Sequence, residues 1–291
     1  MSRVLIIGAS GQVGGQIYTH LSGASDQILG TYNSRAFPGL EQLDFRDTEA
    51  THGLIERFMP GVIYLPASLT NVEYCEGHPE ESYQANVEGV KNVVRAANQV
   101  EAKVVYFSSE YVFDGLNGPY REEDPVNPIS VYALHKVIAE HYLSMYCDDF
   151  LIIRTTVVYG WERQGKNFVI RLIKTLEDGG TVRVPEDQIS SPTYSPNLVE
   201  AVVELVAAGK RGVYNVVGPD VISRYAFAVQ VAKIFGLTDG EIQPVKTESL
   251  GQVAKRPLKA GLVIDKVKAE IETPLLGVEA GLGAMQQARE S

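Results

Sequence analysis

A tyrosine and a lysine stand four positions apart in "SVYALHKVIAE", residues 130–140. A helix through this stretch puts Tyr132 and Lys136 on one face. A free tyrosine, with a pKa of about 10, is poorly matched to proton transfer at neutral pH, whereas a neighbouring cation favours the tyrosinate and draws the phenol toward the working range. Such a pair suits protonation of an oxygen that gains negative charge, as a carbonyl oxygen does when hydride reaches its carbon. Ser109, at the end of the apolar run "KVVYFSS", is of the right type to hydrogen-bond that oxygen and orient it.

Three such side chains need a scaffold that brings them to one edge. "RVLIIG" at residues 3–8 is a short apolar run ending in glycine, as a strand buried on both faces of a parallel sheet should be. "GQVGGQIYTHL" then carries Val13, Ile17 and Leu21 at helical spacing, and "QILGTY" reads as the next strand. The alternation continues through "GVIYLPA" (strand), "SYQANVEGVKNVVRAANQV" (helix), "KVVYFSS" (strand), "VYALHKVIAEHYLSMY" (helix) and "FLIIRTT" (strand). This predicts an α/β fold with a doubly wound parallel sheet and right-handed crossovers over residues 1–160. Residues 161–291 break into shorter elements and predict a smaller, mainly substrate-binding lobe. "NFVIRLIKTLEDGG" and "PNLVEAVVELVAAG" are read as its helices, and residues 212–218 as a strand returning to the large sheet. The last residues, "AMQQARES", are the expected frayed end.

The first strand runs into "GASGQVG", with glycines at 8, 11 and 14. Its position between a strand and a helix is where backbone can approach a dinucleotide's pyrophosphate and a helix N-terminus offers oriented N–H donors. At the end of the second strand, "GTYNSRA" holds no acid between Gly30 and Phe37, while Ser34 and Arg35 are placed to meet a phosphate. An NAD site ordinarily offers an acid to the ribose hydroxyls there, so NADP is the expected cofactor and NAD the alternative.

Composition narrows the function classes. Acidic residues outnumber basic ones, 36 to 26, which argues against nucleic acid as a partner. No apolar run approaches the roughly 20 residues that span a bilayer, and the two cysteines, Cys75 and Cys147, have neither metal-ligand spacing nor the density of a disulfide framework; a cytoplasmic protein is expected. His135 and His141 lack a second ligand at useful spacing, so they are read as surface or interface residues and no metal is expected.

Taken together, "GASGQVG", "LDFRD", "SLTNVEYCEGHPEESYQANVEGVKNV", "FSSEYVFDG", "PYREEDPVNPISVYALHK", "KNFV", "DQISSPT" and "RPLKAGL" resemble the extended short-chain dehydrogenases/reductases, and within them the dTDP-4-dehydrorhamnose reductase family. The resemblance covers nearly the whole chain. It implies a catalytic trio of Ser109, Tyr132 and Lys136, with Tyr132 donating the proton while NADPH delivers hydride to C4 of a nucleotide-activated keto-sugar, dTDP-4-dehydro-L-rhamnose first. It implies that Gly8, Ser10, Gly11, Gln12 and Val13 line the pyrophosphate, that Asp44 and Phe45 meet the adenine side, that Ala67 and Ser68 form a wall beside the cofactor, and that Asn86 braces the middle strands. On the substrate side it implies Val72, Tyr111, Asn167 and Gln188, with Arg256 holding the diphosphate, and a homodimer. Plainer readings stand beside these: Asp44 as a helix cap, Phe45 as core, Asn86 as an internal helix hydrogen-bonder and Arg256 as a solvated arginine.

The chain also departs from the family. Ser109–Glu110 stands where a Thr-Asp pair is usual, Pro66 at a strand end near the cofactor, Val157 where many relatives carry tryptophan, and Ser190–Ser191 where glycine is frequent. Each loosens the identity of the sugar rather than the hydride chemistry. "SSEYVFDG" and "PYREEDPVNP" are also similar to the regulatory β subunit of methionine adenosyltransferase, which would make NADP a structural ligand of a non-catalytic chain.

Overall fold

The computed structural model describes residues 3–23 and 27–290. In chain order the strands are β1 (Val4–Ile6), β2 (Ile28–Tyr32), β3 (Leu40–Gln42), β4 (Val62–Leu65), β5 (Lys103–Ser109), β6 (Phe150–Thr155), β7 (Val158–Tyr159), β8 (Thr181–Pro185), β9 (Ile189–Ser190), β10 (Thr193–Tyr194), β11 (Gly212–Asn215), β12 (Ile222–Ser223) and β13 (Glu241–Val245). The α-helices are α1 (Gln12–Ser22), α2 (Thr48–Phe58), α3 (Val72–Gly77), α4 (Pro79–Tyr83), α5 (Gly89–Gln99), α6 (Val131–Tyr146), α7 (Phe168–Glu177), α8 (Ser195–Ala207), α9 (Arg224–Phe235), α10 (Asp265–Lys268) and α11 (Val278–Glu290). A π-helix, Gln84–Glu88, joins α4 to α5.

Seven parallel strands form one sheet in the order β11-β6-β5-β4-β1-β2-β3. The chain reverses direction of winding between β1 and β4, and the carboxyl ends of these central strands open the crevice where ligands of such sheets bind. The strands are apolar on both faces because both are covered. One core joins Ile6, Val105, Phe107 and Ile153 to Ile17 of α1; the other joins Leu5, Ile63, Val104 and Ile152 to Val90, Val93 and Val94 of α5. A third core, built on Tyr159, Leu172, Leu176, Phe227 and Val231, belongs to the lobe. Among the described residues no helix is long and apolar enough to cross a membrane.

The structure departs from the sequence expectations in four places. Between β2 and β4 lie the unexpected β3 and α2, the latter opened by Asp47, whose carboxylate accepts the Ala50 N–H at 3.0 Å. α8 does not serve the lobe: its Leu198, Val199, Val202 and Leu205 join the core around Ile6, Ile17 and Tyr214, so it covers the large sheet beside α1. A helix's apolar stripe shows that a face will be buried, not which layer buries it. α9, also unexpected, packs in the lobe core. Of the expected frayed end, residues 284–290 are instead part of α11, because Leu282 and Met285 are fully buried and the Met285 carbonyl accepts the Trp161 indole N–H at 2.7 Å, and Ser291 lies outside the described residues.

Candidate active site

Residues brought together by β5 and α6 occupy the carboxyl edge of the sheet. Ser130 caps α6, accepting from the Ala133 N–H, and Glu76 of α3 accepts from the Val131 N–H at 3.0 Å, which fixes the entry of the helix. Tyr132 and Lys136 then face inward, both buried, with the lysine Nζ 5.7 Å from the centroid of the tyrosine ring. Nζ donates to the Phe107 carbonyl at 2.9 Å and lies over the Tyr106 ring. Ser109 ends β5 beside the phenol, its Oγ accepting the Tyr111 N–H, and Tyr111 meets Tyr132 edge-on at 6.1 Å. One turn beyond Lys136, Glu140 forms a buried ion pair with Arg154 of β6 at 2.7 Å, which clamps the helix to the sheet.

The electrostatics correct one expectation. Lys136 was expected to draw the phenol down; burial instead raises Tyr132 above the ordinary tyrosine range, and the group that opposes this is the Ser109 hydroxyl. The lysine is itself perturbed. Burial lowers it to about 7, against a smaller opposing pull from Glu140. Glu110, fully enclosed next to Ser109, is pushed up to about 8 by burial, opposed by the Thr156 hydroxyl that donates to its Oε1. A carboxyl with a raised pKa therefore adjoins Ser109.

The glycine turn fits a dinucleotide phosphate on its own geometry. Gly8 has φ +97°, and a Cβ on Gly14 would stand 2.2 Å from the Gly8 carbonyl oxygen, so only glycine lets α1 start this close to β1. Gly11 is the N-cap and no side chain caps the helix, which leaves first-turn N–H groups for an anion. A cleft of about 360 Å³ opens there, lined by Ser10, Gly11 and Gln12 on one side and Trp161, Glu162 and Arg163 on the other. Gln12 presents a buried Nε2 with no partner among the described residues. Val13 follows it in the first turn of α1, and Ser34 and Arg35 lie exposed beyond β2.

Other expected cofactor residues divide. Ala67 donates its N–H to the Ile7 carbonyl and lies against Gly8 of the glycine turn. Asn86, 1% exposed on the π-helix, accepts from the Ser68 hydroxyl and the Leu69 N–H, both at 2.8 Å, and donates back to the Leu69 carbonyl. The asparagine thus shapes the loop after β4, and the π-turn aims it there. Asp44 is occupied by Arg46 through a forked ion pair, and Phe45 is buried in the core against Gly89. His135 is not a surface residue: it is buried, with Nδ1 2.8 Å from the Ser82 hydroxyl, which in turn meets Asn86.

On the substrate side, Val72 opens α3 and Tyr111 meets the phenol ring edge-on, while Asn167 is the N-cap of α7, accepting from the Ile170 N–H and donating to the Gly160 carbonyl. Gln188 is buried and donates to Thr247. Arg256 is engaged by Glu73 at 2.7 Å and by the Ala254 carbonyl. A cation that the sequence reading missed is Arg224, the first residue of α9. Its N–H donates to the Gln188 carbonyl, its guanidinium lies 4.9 Å from the centroid of Phe168, and its charge is felt at Glu110 and Tyr111. Among the described residues no carboxylate forms an ion pair with it.

A family model described as the RmlD substrate binding domain matches residues 2–290. The chain belongs to this family. Within the extended short-chain dehydrogenases/reductases it is 31% identical to the spore coat polysaccharide biosynthesis protein SpsK of Bacillus subtilis, over 88% of this chain and 87% of that protein. It is 30% identical to methionine adenosyltransferase 2 subunit beta of Bos taurus, over 89% of this chain and 80% of that one. Among solved structures, dTDP-4-dehydrorhamnose reductase from Bacillus anthracis, in complex with NADP, superposes with a TM-score of 0.91 at 27% identity, covering 99% of both chains.

Two of the positions that the sequence marks as unusual have visible local structure. Val157 has φ 42°, a left-handed conformation that a β-branched side chain adopts only under constraint, and it follows Thr156, the partner of Glu110. Ser191 is fully buried, and its hydroxyl accepts the Leu262 N–H at 3.3 Å, which ties the lobe to the segment after Arg256.

Proposed function

We propose that the chain is an NADPH-dependent reductase of the C4 keto group of a nucleotide-activated deoxysugar, with dTDP-4-dehydro-L-rhamnose the first substrate to try. The observation that carries this is the convergence of Ser109, Tyr132 and Lys136 on one buried edge next to an uncapped, glycine-built helix start. The likeness to a reductase solved with NADP supports the cofactor. NADPH, when bound, supplies the hydride. Gly8, Ser10, Gly11, Gln12 and Val13 would hold its pyrophosphate, Ser34 and Arg35 its 2′-phosphate, and Ala67 and Ser68 its side. Ser109 donates a hydrogen bond to the keto oxygen, and Tyr132, kept protonated by burial, gives that oxygen its proton. Lys136, fixed at the Phe107 carbonyl, offers its remaining donors to the phenol and to whatever lies beside it.

The diphosphate of the substrate would meet the two arginines whose charge reaches Tyr111. Arg256 shares its fork with Glu73, so Arg224 has more donor capacity to give. Purified protein incubated with NADPH and dTDP-4-dehydro-L-rhamnose is expected to consume the reduced nicotinamide, read by its absorbance. Arg224→Met is expected to raise KM for the sugar nucleotide about tenfold or more while changing kcat little, the pattern of lost uniform binding. Absence of turnover by the wild type with this and related keto-sugar nucleotides would count against the reading.

The methionine adenosyltransferase β relatives favour a second reading, a regulatory chain that keeps the dinucleotide pocket. Tight NADP binding with no keto-sugar reduction, together with co-purification with a synthetase, would favour it. A complete proton-donating trio weighs against it, because a chain that only binds has no need of one.

A further inference from the structure

Residues 161–167, which carry the chain from the large sheet into the lobe, cross the first turns of α1. Gln164 Nε2 donates to the Ser10 carbonyl at 2.8 Å, and Gln16 Nε2 donates to the Trp161 carbonyl at 3.1 Å. The indole N–H of Trp161 is anchored on Met285. Glu162 folds its carboxylate back onto its own loop, accepting from the N–H groups of Gln164, Lys166 and Asn167. Its oxygens are thereby occupied, so the group left facing outward is the guanidinium of Arg163. That guanidinium lies over the ring of Phe37, 5.4 Å from its centroid, and Phe37 is two residues beyond Arg35. The same arginine lines the cleft with Ser10, Gly11 and Gln12. Among the described residues no carboxylate forms an ion pair with it.

We propose that Arg163 is a specificity-determining residue that, together with Arg35, receives the 2′-phosphate of NADP, so that the segment entering the lobe helps select NADP over NAD. The proposal rests on the reading that this chain binds NADP. The pyrophosphate, common to both dinucleotides, is met by the N-terminus of α1; the adenosine ribose of this fold lies toward the end of β2, and that is the side on which Arg163 sits against Phe37. An arginine fork suits a phosphate dianion, and the Phe37 ring holds the fork flat without neutralising it. The cofactor contact then bridges sheet and lobe.

Isothermal titration of NADP⁺ and NAD⁺ into wild type, Arg163→Met, Arg163→Lys and Arg35→Met tests this without turnover. Arg163→Met is expected to weaken NADP⁺ binding at least about tenfold and NAD⁺ binding no more than about twofold, with Arg163→Lys between wild type and Met for NADP⁺. Thermal melts of the variants should match wild type, because Arg163 is exposed. Equal loss for the two dinucleotides, or NADP⁺ binding by Arg163→Met as tight as by wild type, overturns the proposal. Failure of the wild type to bind NADP⁺ overturns it together with the cofactor reading, whereas tight wild-type binding that Arg163→Met leaves intact sinks this inference alone.

Discussion

Tyr132→Phe is expected to lower kcat for keto-sugar reduction by about 10²- to 10⁴-fold, the range ordinarily supplied by a positioned general acid, while NADP⁺ affinity and melting temperature stay close to wild type. The asymmetry follows from what the side chain touches. Its ring packs edge-on against Tyr111 and beside the Lys136 amine, and phenylalanine preserves both contacts. What disappears is the hydroxyl next to Ser109, which burial keeps protonated and which has an oxygen neighbour to orient it. A structural tyrosine would give the opposite pattern, with activity retained and stability lost. Steady-state nicotinamide consumption, dinucleotide titration and a thermal melt on the same preparation separate the two, and undiminished kcat would remove Tyr132 from the chemistry.

How much of this site could be read in advance depended on the range of the contacts. The glycine turn and the Tyr132–Lys136 face are local patterns, set by strand, turn and helix periods, and both stand where the sequence placed them. Arg224 is of another kind. It comes within reach of Glu110 because β12 pairs with β9, Ile222 opposite Ser190, a register between two-residue strands that no period announces. The engagement of Arg256 by Glu73 joins residues 183 positions apart and was equally silent. His135 was misread because its neighbours in sequence are mixed in polarity, whereas its partner Ser82 lies on another helix. α2 had a readable signal, the cap "RDTEA" before an apolar stripe, and α11 had a weak one, since its polar tail hides a single anchoring Met285.

Lys136→Met is expected to abolish most of the activity and at the same time reverse its effect on stability across the alkaline range. In the folded chain burial lowers Lys136 to about 7, while unfolded it titrates at its ordinary 10.5. Between those values the unfolded chain carries the extra proton, so this residue makes wild-type stability rise with pH, and its favourable share is lost as pH falls through about 7. Glu110 acts in the opposite sense: raised from 4.5 to about 8, it contributes stability present below 4.5 that is lost as pH rises through about 8. Methionine deletes only the lysine contribution. It fills the same apolar space without a charge to desolvate, but it leaves the Phe107 carbonyl unpaired, at a cost of about 1–3 kcal/mol that does not depend on pH. The variant should therefore be more stable than wild type near pH 7 and less stable near pH 10.5, with the two denaturation curves crossing inside that window. Glu110 is common to both proteins and cancels from the difference. Urea denaturation of both proteins at several pH values across the window reads the crossing directly. Parallel stability profiles would mean that the amine is solvated or paired in the folded chain and keeps its ordinary charge there, and with that the desolvated lysine beside the phenol would be gone.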